Sequence, residues 1–160
     1  MARPRPAVLI GLVLFSALAA SAAAQESDPL PVAAEFTAKL GWTPAEALAW
    51  MGAPESLFPY RGAAEREDTV AFFYPDRLYL FWFRDRVWQV RADERWDGEV
   101  DGVRMGMDLE EVISLWGPPI NDVDPQPTWT LPDRGYPVRI RLYFDEDGRL
   151  SDLYVYRSDW

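Results

Sequence analysis

The 160-residue chain has no cysteine and no histidine, and its only lysine is Lys39. Without cysteine it can form no disulfide, thiolate nucleophile, thiolate zinc site or lipid-modified cysteine. Without histidine it lacks both the commonest general base and the commonest metal ligand. A Ser/His/Asp triad cannot be assembled, which leaves carboxylates, hydroxyls, tyrosine, arginine and Lys39 as catalytic material. No cofactor, no metal site and no catalytic residue is assigned on these grounds. What the chain does have is aromatic mass, with eight Trp, seven Tyr and eight Phe, and an acidic balance of 26 Asp and Glu against 16 Lys and Arg.

Residues 1–24 read as a signal peptide. Arg3 and Arg5 form a positive start, Ala7 to Ala20 an apolar run, and Ser21-Ala22-Ala23-Ala24 the small residues of a cleavage site. The run is shorter than the roughly 20 apolar residues a membrane span needs, so a periplasmic or secreted protein without a membrane anchor is expected. Removing the leader takes away two arginines and no acid, leaving 14 basic against 26 acidic side chains, a balance of −12. That balance argues against nucleic acid and anionic membranes as partners and favours a basic protein or a neutral ligand.

The remaining chain divides into an N-terminal extension (25–37), a first repeat (38–95), a linker (96–102) and a second repeat (103–160). Ala38 to Pro54 lies over Val103 to Pro119 without a gap. In each copy a cation and a glycine precede an N-cap residue, Thr43 or Asp108, and a glutamate, Glu46 or Glu111, stands at the third helical position to close a capping box. Pro44, Ala47, Leu48 and Met51, and likewise Leu109, Val112, Ile113 and Trp116, carry the apolar stripe of a short helix. Gly52 and Gly117 end it. Strand-like runs follow at 69–74, 77–83 and 87–92, and again at 129–131, 137–144 and 150–156, joined by loops short enough for antiparallel hairpins. The expected fold is α+β: two tandem repeats of a helix plus a three-stranded antiparallel meander, forming one continuous curved sheet with the helices on one face. Trp96 inside the acidic stretch Asp93 to Gly102 implies a docked joint between the copies.

This pattern (Gly, a large residue, Thr or Asp, a glutamate three positions on, an apolar pair, then Gly-x-Pro and an aromatic-rich meander) resembles the repeat unit of the β-lactamase-inhibitor-protein-like fold. It is also similar to the small accessory lipoproteins of the outer-membrane barrel assembly machinery, the SmpA/OmlA type. Two copies over residues 36–157 favour the inhibitor-like form. The resemblance implies a sheet with helices on one side and a concave partner-binding face on the other. The chain departs from both groups in lacking the disulfide of each inhibitor repeat and the lipid-bearing cysteine of the lipoproteins. The resemblance implies for Asp76, at the tip of the Tyr74-Pro75-Asp76-Arg77 turn, the place of an acidic inhibitor loop residue, by its position in a hairpin and without a matching motif.

Strand alternation separates the two faces. Val138, Ile140, Leu142 and Phe144 point to the helices, and Arg139, Arg141 and Tyr143 away from them. Registering the first copy on the second sends Tyr79, Phe81 and Phe83 inward and leaves Leu78, Leu80 and Trp82 outside. On the third strands Val90, Ala92, Leu153 and Val155 point inward, and Gln89, Arg91, Asp152, Tyr154 and Tyr156 outward. The expected partner surface is therefore Leu78, Leu80, Trp82, Arg91, Arg139, Arg141, Tyr143, Tyr154 and Tyr156, joined by Asp76. Trp, Tyr and Arg dominate binding hot spots, each costing about 2 kcal/mol or more on truncation. The occupant is left open between a protein partner, a second copy of the chain, a covering segment (55–68 or 25–37) and a small ligand. Trp50 and Trp116 are expected in the core, along with whichever of Phe72 and Phe73 points inward.

Other candidates have ordinary explanations. Asp145-Glu146-Asp147-Gly148 reads as a polar hairpin turn, because it lacks the further ligands of a calcium loop. Asp122 and Asp124 read as a solvated loop. Lys39 and Arg104 stand at equivalent positions and are expected to share a structural role. The function expected is a non-catalytic protein-binding module, an enzyme inhibitor or an envelope assembly component. The alternative is a carbohydrate-binding or carboxylate-dependent glycan-acting protein.

Overall fold

Local chemistry sets the two main helices. In a computed structural model that describes residues 31–61, 68–120 and 126–160, α2 (Pro44–Met51) and α3 (Leu109–Trp116) each begin at a closed capping box. The Thr43 amide donates to Glu46 Oε2 at 2.7 Å and the Glu46 amide to Thr43 Oγ1 at 3.2 Å. The Asp108 amide donates to Glu111 Oε2 at 2.8 Å and the Glu111 amide to Asp108 Oδ1 at 2.9 Å. Two otherwise unpaired amides are thus satisfied at each start. The expected leader, residues 25–30, residues 62–67 and the Asp122/Asp124 loop lie outside the described residues. A one-turn helix, α1 (Ala34–Thr37), precedes α2 and was not anticipated.

Among the described residues seven strands form one antiparallel sheet: β1 (Ser56–Tyr60), β2 (Thr69–Phe73), β3 (Leu78–Phe83), β4 (Arg86–Asp93), β5 (Thr128–Leu131), β6 (Val138–Phe144) and β7 (Leu150–Arg157). Their spatial order is β1-β2-β3-β4-β7-β6-β5, so β4 and β7 meet in the middle and β1 and β5 are the edges. The α+β class and the single antiparallel sheet are as expected; β1 is additional.

The chain enters each helix in the same way. Gly41, at φ 84°, donates its amide to the Val87 carbonyl at 2.7 Å, and the Val87 amide donates to the Trp42 carbonyl at 2.9 Å. Gly106, at φ 85°, and Met107 make the same pair of bonds with Leu150, both at 2.8 Å. A left-handed backbone at these two positions is open to glycine at little cost, whereas a Cβ there would be strained. Each helix entry is thereby fastened to the first residues of β4 or β7.

One face of the sheet and the helices share one core. Leu78, Leu80, Trp82, Val87, Val90, Ala92, Val138, Ile140, Leu142, Leu153 and Val155 cluster with Ala47, Val112 and Trp116. Trp116 packs edge-on to Trp129, with centroids 5.4 Å apart, and their indole N–H groups donate to the carbonyls of Asp101 and Gly117. Trp96 is buried against Phe36 at 5.3 Å, so the segment between the two halves is docked on the core by its tryptophan.

Here the structure corrects the sequence reading. Leu78, Leu80 and Trp82 belong to this core and not to the outer face: they pair with Ala92, Val90 and Val87, and all three are buried. Tyr79, Phe81 and Phe83 are the outward residues. The cause is hairpin length. β3 and β4 are joined by only Arg84-Asp85, both at positive φ as a tight two-residue turn requires, whereas Asp145 to Arg149 separate β6 from β7. Both hairpins carry a bulge, with Trp88 and Ser151 as the unpaired extra residues. Aligned on the bulges, Trp82 corresponds to Phe144, one residue away from the expected match. Because side chains alternate with period two, a slip of one residue exchanges the faces of a whole strand.

Trp50 is a second correction. It is 77% exposed, not in the core, whereas Trp116 is buried as expected. The gapless repeat alignment already placed Trp50 over Leu115, which is also exposed, and Met51 over Trp116. Of the two phenylalanines, Phe72 points to the core, pairing with Leu80 and packing 4.8 Å from Trp82, while Phe73 pairs with Tyr79 on the outer face.

Candidate functional site

With the register corrected, the outer face splits along its length. On the β1 side it is closed: Phe58 packs edge-on to Tyr79 (6.0 Å) and Tyr60 to Phe81 (5.1 Å), and Phe81 is only 2% exposed. Segment 55–68 was one of the expected covers, and its described part, β1, contributes through these two rings. Asp93 and Gln89 are also buried there. Asp93 accepts from the Tyr79 hydroxyl at 2.7 Å and from Arg95 Nε at 3.1 Å. Burial alone would raise its carboxyl, but these hydrogen bonds outweigh that and bring it down to about 2. Burial and the bond to Asp93 push the Tyr79 phenol up.

Toward β7 and β6 the face changes character. Arg91 lies over the rings of Tyr79 (4.8 Å) and Tyr154 (5.6 Å) and donates from Nε to Asp152 Oδ1 at 2.6 Å. Arg141 lies over Tyr156 (5.0 Å), Tyr143 (5.6 Å) and Tyr154 (5.8 Å). Tyr143 and Tyr154 meet edge-on at 5.3 Å. Cross-strand pairing explains this ladder, since Arg91 and Arg141 both stand directly opposite Tyr154, and Arg139 stands opposite Tyr156. Burial beneath the guanidinium groups pushes the Tyr154 phenol up to about 12, against the pull of Arg91. Arg91, Arg139, Arg141, Tyr143, Tyr154 and Tyr156 are each half-buried. Arg139 has no ion-pair partner among the described residues.

Six of the ten expected site residues, Arg91, Arg139, Arg141, Tyr143, Tyr154 and Tyr156, are therefore gathered on one patch. Leu78, Leu80 and Trp82 are not, and the Trp82 indole N–H is buried without a hydrogen-bond partner among the described residues. Asp76 also lies apart, in the β2–β3 turn, where it lines a cavity of 440 Å³ with Lys39, Trp42, Trp50, Met51, Tyr74 and Pro75. Sequence reading missed Tyr79 and Phe81 through the register slip. It missed Tyr74 because a strand-end tyrosine carries no spacing signal.

Chemistry elsewhere follows ordinary structural roles. The Asp145 carboxylate accepts from the backbone amides of Asp147 and Arg149 at 3.0 and 2.8 Å, so the turn's own amides occupy it. Lys39 and Arg104 do not share a role: Lys39 is buried and donates to the Glu35 carbonyl at 2.8 Å, whereas Arg104 is exposed and pairs with Glu99 at 3.0 Å. Among the described residues no group of three or more Asp and Glu is placed to hold a metal ion, and no helix is long and apolar enough to cross a membrane.

Comparison with known proteins gives a likeness of fold. No family model and no curated protein matches the chain. A solved structure does: an extracellular protein containing a SCP domain, from Bacillus anthracis str. Ames, at a TM-score of 0.52 and 12% identity over 94% of this chain. The chain spans 50% of that protein's length.

Proposed function

We propose that this chain is an exported, non-catalytic protein-binding module whose docking surface is the half-open outer face of β4, β7 and β6. The observation that carries the reading is the ladder of Tyr143, Tyr154 and Tyr156 interleaved with Arg91 and Arg141. Tyrosine and arginine offer large contact area at modest entropic cost, and they are the residue types in which interface energy concentrates. The partner's chemistry follows from local charge. Although the whole chain is strongly acidic, this patch carries Arg139, which has no ion pair among the described residues, beside Arg91, which is paired with Asp152. It suits a partner surface presenting a carboxylate, which the Arg139 guanidinium can hold by paired hydrogen bonds.

Export is supported by the pattern of residues 1–24 and is compatible with the extracellular neighbour. The equivalent helix entries at Gly41 and Gly106, the two capping boxes and the two matching bulges support a pair of tandem repeats of the inhibitor-like kind. On that resemblance the partner is an enzyme to be inhibited or an envelope assembly component.

The test is quantitative capture from the source cell's exported proteins, with native protein beside an Arg139→Ala, Tyr143→Ala variant of unchanged melting temperature. The expected result is one stoichiometric partner, bound less tightly as salt rises, and lost with the variant. Equal recovery by both forms removes the face from consideration. A concentration-independent dimer by light scattering, broken by the same substitutions, would instead make the occupant a second copy of the chain.

A further inference from the structure

The cavity between α2 and the β2–β3 turn lies away from the Tyr/Arg patch. Its lining combines three aromatic rings, Trp42, Trp50 and Tyr74, with one ammonium, Lys39, and one carboxylate, Asp76. At 440 Å³ it falls within the range of small-molecule sites, and a few polar groups converging among apolar walls is their usual composition. Two features within it lack a structural explanation. Trp50 is 77% exposed on a helix that packs on the core through Ala47 and Met51. Tyr74 is 1% exposed, and its hydroxyl is buried without a hydrogen-bond partner among the described residues. A buried hydroxyl left unpaired costs free energy, so the fold carries a penalty in the wall of this cavity.

Charge selects among ligands. Three rings beside a carboxylate would suit a quaternary ammonium, but Lys39 already places a cation in the same cavity, where it is fixed by the Glu35 carbonyl at 2.8 Å and faces the Glu35 carboxylate at 3.8 Å. An anion would meet Asp76 and Glu35. A neutral polyhydroxy ring avoids both conflicts. Its hydroxyls can donate to Asp76 and accept from Lys39, and its C–H face can lie flat on the indole of Trp50.

We infer that the cavity lined by Lys39, Trp42, Trp50, Tyr74 and Asp76 is a binding site for a neutral saccharide ring. The site is independent of the sheet face, and neither reading depends on the other.

Titrating the purified protein with chitotriose, maltotriose and cellotriose, followed by tryptophan fluorescence and by the indole N–H resonances, tests it. At least one trisaccharide saturates with Kd near ~1 mM or tighter, and the Trp50 indole resonance moves. Trp50→Ala weakens that binding about tenfold or more, and Asp76→Asn weakens it several-fold. Trp50 is exposed, so its alanine variant keeps the native melting temperature. Failure of all three sugars to bind, or saturable binding unchanged by Trp50→Ala, overturns the inference. So does choline binding with the same Trp50 dependence while the sugars do not bind. Arg139→Ala with Tyr143→Ala leaves sugar binding intact.

Discussion

The two halves of the outer sheet face use the same kinds of residue for different ends. On the β1 side, Phe73, Phe81, Gln89 and Asp93 are buried, and β1 brings Phe58 against Tyr79 and Tyr60 against Phe81. On the β7–β6 side, β5 is the edge and offers only Thr128 and Thr130 to that face, so Tyr143, Tyr154 and Tyr156 stay half-open. An aromatic on a strand therefore does not by itself mark a binding surface. What distinguishes the halves is whether the neighbouring edge strand brings rings of its own.

Truncations should separate the halves most sharply. Trp82→Ala and Phe81→Ala, one on each face of the same strand, should each cost about 3–5 kcal/mol of stability, as buried aromatics do, read as lowered midpoints in denaturant. Tyr143→Ala should cost far less stability and should instead weaken partner binding by about 2 kcal/mol, roughly 30-fold. If Phe81→Ala leaves stability unchanged, the first half is not closed and the comparison fails.

A smaller effect comes from Asp93, which belongs to the closed half. Its folded carboxyl lies at about 2, below the ordinary value near 3.9. Its contribution is therefore fully present above about pH 4 and is lost as pH falls through the folded value. Stability measured between pH 4 and 2 should fall less steeply in Asp93→Asn than in the native protein. Tyr154, in the open half, gives the alkaline counterpart. Its phenol, raised to about 12, stabilises the fold below pH 10, and that contribution is lost as pH rises toward 12. In the tyrosinate absorbance titration, Tyr154→Phe should remove a late-ionising component.

The smallest effect expected is a gain. Arg84 and Asp85 hold φ 47° and 57° in the two-residue turn, a conformation that Asn-Gly adopts at lower cost. Replacing the pair with Asn-Gly should stabilise the protein by about 1 kcal/mol. No change would mean that the cation–π contact of Arg84 with Phe83, at 5.1 Å, compensates for the backbone strain.

Much of the architecture was legible because its signals are local. Thr43 with Glu46 and Asp108 with Glu111 announce capping boxes, and the alternation in Val138 to Phe144 gives the faces of β6 correctly. The faces of β3 were not legible, because Tyr79 to Phe83 is apolar at every position. With no polar alternation to fix it, the register depended on turn length, and the two hairpins differ in that length. Asp76 was legible as the tip of a turn, but its neighbour Lys39 comes from another element, and no spacing in the chain reveals that they meet.

The central claim is that the open half of the face, and not the closed half or the helix side, holds a partner. Partner affinity measured for Arg139→Ala with Tyr143→Ala, beside Trp50→Ala on the helix side, tests it most directly. Loss of binding in the first variant and native affinity in the second, with both proteins folded, is the expected outcome. Native affinity in the first variant, or equal losses in both, would contradict it.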